Sequence, residues 1–254
     1  MPRICIGDIP IDPFSSVEEA ADRLKELLHS SSSEPRVGVT LNPEIGYWAL
    51  RDEEVKRVVE SSSFTTSDGV GITFIVRKKL GLHIPRITGV DVLWEFLKSN
   101  TDIPVFLFGA RQGVAESVKD KLEGYAGRKM VVGILNGYVS PSEAVDKIVE
   151  SGAKLVLVAL GAGRQERFIA RYILPLSLDI FAIGVGGSFD VWAGKVPRAP
   201  TWIQRYGLEW MWRNIRQPSR VFRLVGSARF VLWALYHAEV RICEEQGNMR
   251  NQDR

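Results

Sequence analysis

Cysteine and histidine are scarce in this chain of 254 residues, which holds two cysteines, Cys5 and Cys243, and three histidines, His29, His83 and His237. The cysteines stand near opposite ends with no paired spacing, so the sequence offers neither a disulfide framework nor a zinc ribbon and fits a reducing compartment. The histidines are far apart in sequence, which disfavours a metal cluster or a Ser-His-Asp triad. No Asp-x-Asp pair follows a predicted strand, so no carboxylate-held divalent ion is signalled. A strict GxGxxG is missing too, which disfavours a dinucleotide dehydrogenase. No apolar run reaches the roughly 18 residues of a spanning helix. The N-terminus MPRICIGDIPIDPF lacks the basic stretch, apolar run and small-residue cleavage site of an export signal. Together these absences predict a cytoplasmic chain that touches a membrane from one side at most and carries neither metal nor cofactor.

What is present is a hydrophobic content of 45%, enough for one substantial core and a small appendage. The runs Val37 to Thr40, Pro104 to Phe108, Met130 to Leu135, Lys154 to Leu160 and Asp179 to Ile183 read as buried strands of a parallel sheet. Apolar residues at three- and four-residue spacing predict helices over Ser16 to Leu28, Glu53 to Glu60, Val90 to Lys98, Gly113 to Leu122, Pro141 to Glu150 and Arg164 to Ile173. Ser140, Pro141 and Glu143 mark one helix start by their chemistry. The alternation predicts an α/β fold, a Rossmann-like doubly wound sheet over residues 1–194. Beyond Gly194 the pattern changes. Residues 195–254 read as a helical appendage dense in Trp and Arg, with an amphipathic stretch at Val221 to Tyr236 and a polar, disordered tail from Glu244. From Lys195 to Arg241 there are nine basic residues against two acidic ones, a local excess of seven in a chain whose total is +3. The positive charge therefore belongs to this segment and implies an anionic partner there.

In an open parallel sheet ligands bind beyond the carboxyl ends of the strands. The residues that follow the predicted strands are Leu41-Asn42-Pro43-Glu44, Gly109 to Gly113, Asn136-Gly137-Tyr138, Gly161 to Glu166 and Gly184 to Asp190. Glycine or a polar side chain opens these turns, and helix N-termini follow them, a rim suited to a nucleotide diphosphate. Ser67-Asp68-Gly69 places a carboxylate just before an apolar helical stretch. Asp68 is either a helix cap or a general base or ligand to a substrate hydroxyl, and composition does not choose between them. The run from Glu209 to Arg223 offers guanidinium groups at helical spacing, suited to phosphate.

Taken in order, the motifs Thr40-Leu-Asn42-Pro-Glu44, Ser67-Asp68-Gly69, Gly161-x-Gly-Arg-Gln165-Glu166, Gly184-Val-Gly-Gly-Ser-Phe-Asp190, Arg198-Ala-Pro200 and Glu209-Trp with Arg213, Pro218, Arg220 and Arg223 resemble the WecG/TagA/CpsF family of bacterial glycosyltransferases. The resemblance spans roughly Ile6 to Tyr236, with mild departures at Gly163-Arg164 and Ser67. It implies inverting, metal-independent transfer of N-acetylmannosamine from its UDP conjugate to N-acetylglucosamine on undecaprenyl diphosphate, a step of wall teichoic acid linkage synthesis in TagA-like members. Relatives use the uronic acid form or other UDP-sugars. The resemblance further implies Asp68 as the base, Thr40, Asn42 and Gln165 as sugar contacts, and Arg213, Arg220 and Arg223 at the diphosphate. A C-terminal appendage that meets the inner face of the cell membrane, and self-association into a homo-oligomer, are implied as well. Gly109, Tyr138, Glu166, Gly187 and Asp190, on the remaining turns, are expected nucleotide contacts. A basic nucleic-acid-binding protein is the rival from another class. It accounts for the Trp/Arg-rich segment but leaves Asp68 and the strand-end turns without a purpose, so no nucleic-acid partner is expected.

Overall fold

A computed structural model describes residues 2–99, 102–200, 203, 209–216 and 221–244, without the side chains of 213–216, 221 and 222. Its centre is a six-stranded sheet of β3 (Arg36–Leu41), β4 (Phe64–Ser67), β5 (Val105–Gly109), β6 (Val131–Leu135), β7 (Leu155–Ala159) and β8 (Phe181–Gly184), in the order β4-β3-β8-β7-β5-β6. Every neighbouring pair is parallel, as the apolar runs predict. Both faces are covered, so successive residues of one strand enter different cores. In β7, Val156 and Val158 join one apolar cluster while Leu155 and Leu157 join the other.

On the first face lie α2 (Pro43–Ala49), α3 (Glu53–Glu60), α4 (Val70–Leu80), α7 (Pro141–Glu150) and α8 (Arg164–Phe168), which continues as a π-helical turn to Ile173. On the second lie α1 (Val17–His29), α5 (Gly89–Lys98), α6 (Val114–Ala126) and α9 (Ser188–Trp192). Side chains just ahead of several helices accept their first backbone N–H groups: Ser16, Asn42, Asp52, Thr88 and Ser140. No helix among the described residues is long and apolar enough to cross a membrane.

Four strands were hidden from periodicity. The strand β4 reads Phe-Thr-Thr-Ser, too polar to look buried, yet Thr65, Thr66 and Ser67 are all buried. Thr65 belongs to a polar network: Arg3 donates to the Ser62 carbonyl at 2.7 Å and to Thr65 Oγ1 at 3.1 Å, and Asp12 accepts the Thr65 N–H at 2.6 Å. The others, β1 (Arg3–Ile6), β2 (Ile9–Ile11) and β9 (Val240–Cys243), form a separate antiparallel sheet in the order β2-β1-β9. In it Cys5 and Cys243 are joined by a disulfide across 238 positions of sequence. This corrects the expectation of unpaired cysteines, and the inference of a reducing compartment loses that support. Pairing depends on β9 lying beside β1, which no local spacing records.

Among the described residues beyond Gly194 lie the helices α10 (Glu209–Arg216) and α11 (Val221–Tyr236). The predicted amphipathic stretch is α11, and its apolar side packs on the α/β layers. Phe230 is fully buried with its ring against Gly46 of α2, where an added Cβ would lie 2.5 Å away. Gly226 of α11 is pressed as closely to Tyr47, and Val231 reaches Gly71 of α4. Val225, Leu232 and Tyr236 face outward. The tail 245–254 lies outside the described residues.

Removing the Phe230 ring leaves a cavity at the α2–α11 contact, so Phe230→Ala is expected to cost about 3–5 kcal/mol. That lowers the thermal midpoint by roughly 10 °C in a chain of this size. A midpoint within about 2 °C of wild type in a calorimetric scan would mean that α11 is not docked as described.

Candidate active site

All six parallel strands end on one rim. The chain leaves β5 toward β6 and leaves β7 in the opposite direction toward β8, so the crossover direction reverses between the adjacent strands β5 and β7. At that point a cleft of about 340 Å³ opens, lined by Ala110, Arg111, Tyr138, Arg164, Asp190 and Lys195 among others. Backbone bonds tie its walls together: Ala110 N–H donates to the Ala159 carbonyl and Gly137 N–H to the Ala110 carbonyl, each at 2.9 Å. The turn after β5 is tight. Gly109 has φ +119°, and a Cβ there would meet the Ala159 carbonyl oxygen at 2.5 Å. Ala110 follows with φ 59°, the one described non-glycine residue in the left-handed region. Arg111, Arg164 and Lys195 against Asp190 make the cleft electropositive, a lining that suits an anionic ligand.

Asp68 sits at the end of β4, on the other flank of the rim. It does not cap the helix that follows it, since Gly69 holds the cap position of α4 and no side chain caps that helix. Instead its Oδ2 accepts the Gly89 N–H, 3.0 Å away at the start of α5. Arg86 reaches Asp68 Oδ1 at 3.8 Å and Glu209 Oε2 at 2.8 Å. Arg198 grips Asp91 with two guanidinium nitrogens at 2.5 and 2.6 Å and approaches Glu209 at 4.0 Å. Burial pushes the Asp91 carboxyl up, but the Arg198 and Thr88 hydrogen bonds outweigh it and hold the group below the usual carboxylate range. Asp68, Asp91 and Glu209 thus alternate with Arg86 and Arg198. Among the described residues no group of three His, Cys, Asp or Glu is placed to hold a metal ion.

Thr40, Asn42, Gln165 and Glu166 lie between these two regions. Thr40 is buried and donates to the Gly184 carbonyl at 3.2 Å. Asn42 Oδ1 accepts the Glu44 and Ile45 N–H groups at the start of α2. Gln165 is only 1% exposed; its Nε2 donates to Glu166 Oε1 at 2.8 Å and its Oε1 accepts the Gly186 N–H at 2.9 Å. Its amide takes the space of a side chain at Gly184, where a Cβ would lie 2.3 Å from Nε2. Glu166 accepts the Gly163 N–H at 2.6 Å from beneath the turn. The Gln165–Glu166 pair is therefore a strut that fixes the turns after β7 and β8 to each other.

Of the expected nucleotide contacts, Tyr138 and Asp190 line the cleft, Gly109 precedes it and Gly187 is the residue ahead of α9, whereas the Glu166 carboxyl lies under the rim. Arg223 of α11 is half exposed and pairs with Glu44 at 3.5 Å, next to Asn42. Arg213 lies in α10 with its side chain outside the described residues, and Arg220 lies outside them altogether. The sequence reading did not single out Arg86, Asp91, Arg111, Arg164 or Lys195. Arg111 and Arg164 stand inside strand-end turns, so their position was the available signal; Arg86 stands in no turn that follows a recognised strand.

Comparison with known proteins adds an independent finding. Residues 4–242 match the glycosyl transferase WecG/TagA/CpsF family. An N-acetylglucosaminyldiphosphoundecaprenol N-acetyl-beta-D-mannosaminyltransferase of Bacillus subtilis is 36% identical over 201 residues, 77% of each chain. The protein of the same name from Bacillus spizizenii is 36% identical over 206 residues, 78% of each.

Burial pushes the Glu166 carboxyl up to about 7 from its ordinary 4.5, with nearby Glu44 adding to the rise and the Gln165 and Gly163 hydrogen bonds opposing it. Below pH 4.5 the group is protonated whether the chain is folded or not. Between there and about 7 the unfolded chain gives up its proton while the folded chain keeps it, so stability falls as pH rises through that window. In Glu166→Gln this component is absent. The midpoint of wild type minus that of the variant should therefore drop by roughly 5 °C between pH 5 and pH 8, and a constant difference would contradict the assignment.

Proposed function

The chain belongs to the WecG/TagA/CpsF family and is a glycosyltransferase; from that premise we propose that it moves N-acetylmannosamine from UDP-N-acetylmannosamine to the 4-hydroxyl of N-acetylglucosamine on undecaprenyl diphosphate. The reaction proceeds with inversion and without an essential metal, at the inner face of the cell membrane, as a step of wall teichoic acid linkage synthesis. The observation that carries this reading is the placement of the Asp68 carboxylate, 3.0 Å from the Gly89 N–H, on the same rim as the electropositive cleft.

The donor diphosphate lies in the cleft beside Arg111, Arg164 and Lys195, with Tyr138 and Asp190 toward the nucleoside. Asp68 takes the proton of the acceptor hydroxyl as its oxygen attacks the anomeric carbon from the face opposite the diphosphate. The bond from that carbon to the diphosphate oxygen breaks, UDP keeps the electron pair, and a single displacement inverts the centre. Charge grows on UDP as it leaves, and fixed cations aimed at it lower the barrier. Arg223, with Arg213 and Arg220, contributes from the C-terminal segment. Thr40 and Asn42 border the sugar, and Gln165 acts from beneath by fixing the turns on which it rests. The outward side chains of α11, Val225, Leu232 and Tyr236, together with the basic excess around them, lie against the anionic membrane surface where the lipid acceptor resides. Self-association belongs to the same proposal.

Transfer from UDP-N-acetylmannosamine to a short-chain N-acetylglucosaminyl diphospholipid, measured in EDTA, tests the reaction. Wild type should remain active, and a folded Asp68→Asn variant should lose about 100-fold or more in kcat. Wild type inert with this donor but active with the uronate would reassign the donor. Full activity of the variant would return Asp68 to a structural role.

A further inference from the structure

A second cleft of about 340 Å³ lies between α5, α6 and α9. It borders the same segment as the first, for Asp190 and Lys195 line one while Trp192 and Arg198 line the other. Its wall is aromatic. Trp94 meets Tyr125 edge-on with ring centroids 5.5 Å apart and Trp192 at 5.9 Å. The Trp192 indole N–H is buried with no hydrogen-bond partner among the described residues. Lys121 and the Asp91–Arg198 pair form its charged edge. Asp91 is two positions beyond Gly89, whose N–H holds Asp68, so the cleft begins within one helical turn of the residue that binds the proposed base.

The lining selects among ligands. An apolar occupant would strip water from Lys121 and from the Asp91–Arg198 pair without replacing its hydrogen bonds. A small anion would leave three rings unused. A pyranose satisfies both sides, laying its C–H face on aromatic rings and turning its hydroxyls to the charged edge. The volume stands near the lower end of ligand clefts, roughly 300–1,000 Å³, and admits one sugar ring.

We propose that this cleft is a carbohydrate subsite that seats the acetamido sugar of the acceptor and directs its hydroxyl toward Asp68; the acceptor assignment rests on the reaction proposed above. Tyr125 is 69% exposed, so its removal leaves the folded core intact. The probe is the methyl glycoside of N-acetylglucosamine, followed by saturation-transfer NMR on the full chain, with wild type, Tyr125→Ala and Lys121→Gln, each with and without saturating UDP. The glycoside should bind wild type equally well in the presence of UDP, and both variants should weaken it at least fivefold while UDP affinity stays within twofold. In the transfer assay the variants should raise the acceptor KM at least fivefold, leaving kcat and the donor KM within twofold. Displacement of the glycoside by UDP would make the cleft part of the nucleotide site. Absence of binding, or variants that bind like wild type, would overturn the subsite. Binding that depends on Tyr125 in an enzyme that transfers nothing would sink the proposed reaction and leave the subsite standing, whereas transfer with an unaltered acceptor KM would do the reverse.

Discussion

Parallel pairing governs the rest of this molecule. A parallel strand is reached only by a crossover that carries the chain back over a face of the sheet, so six parallel strands demand covering layers on both faces and deliver all their carboxyl ends to one edge. The interior of β7 shows the first consequence, with alternate residues in two separate cores. The turns at the rim show the second. Gly109, Ala110, Tyr138, Arg164, Gln165 and Asp190 stand at or just beyond the ends of four different strands and meet only because those strands end together. Polar chemistry collects there since the layers beneath have no room for it.

The C-terminal basic segment is continuous with that rim. Its helix α11 rests on α2 and α4, which begin one residue after Asn42 and two after Asp68. Close approach depends on small residues at the contacts, Gly46 beneath Phe230, Gly226 against Tyr47 and Gly71 near Val231. A Cβ at any of them would push the helices apart, and Arg223 would move with α11 away from Glu44. Excess charge in the segment is partly spent within the fold, since Arg198 binds Asp91 and Arg223 pairs with Glu44. The cations near Asp68 thus hold carboxylates in place, while Arg111, Arg164 and Lys195 face the cleft.

The parallel strands of the centre were legible because burial on both faces writes an uninterrupted apolar run, as in Leu155 to Ala159. The strand β4 escaped for the opposite reason: its Thr65 hydroxyl is satisfied by Arg3 and Ser62, which are distant from it in the chain or in a loop. Short antiparallel strands at the two ends and the seven-residue α2 carry too few residues for a period to emerge. At the site, the strand-end rule pointed to turns that border the cleft, and Tyr138 and Asp190 line it, yet the rule could not tell a side chain facing the cleft from one turned beneath it, as Glu166 is. Asp68 was legible as a carboxylate at a helix start. That the helix it serves is α5 rather than the adjacent α4 depends on tertiary approach. The disulfide was invisible because nothing near either cysteine records its partner.

The three-stranded sheet has a bearing on how the polypeptide is made. The strand β9 is synthesised after every other described element, and it pairs with β1, among the first to emerge. While the ribosome still holds the C-terminal residues, the parallel layers can assemble, but β1 has an open edge and α11 has not yet been anchored from its far side. The segment that brings Arg223 to Glu44 is secured last. A nascent or truncated chain therefore exposes the apolar faces of α2 and α4 and one unpaired strand edge, surfaces that invite chaperone binding or aggregation until the final strand closes them.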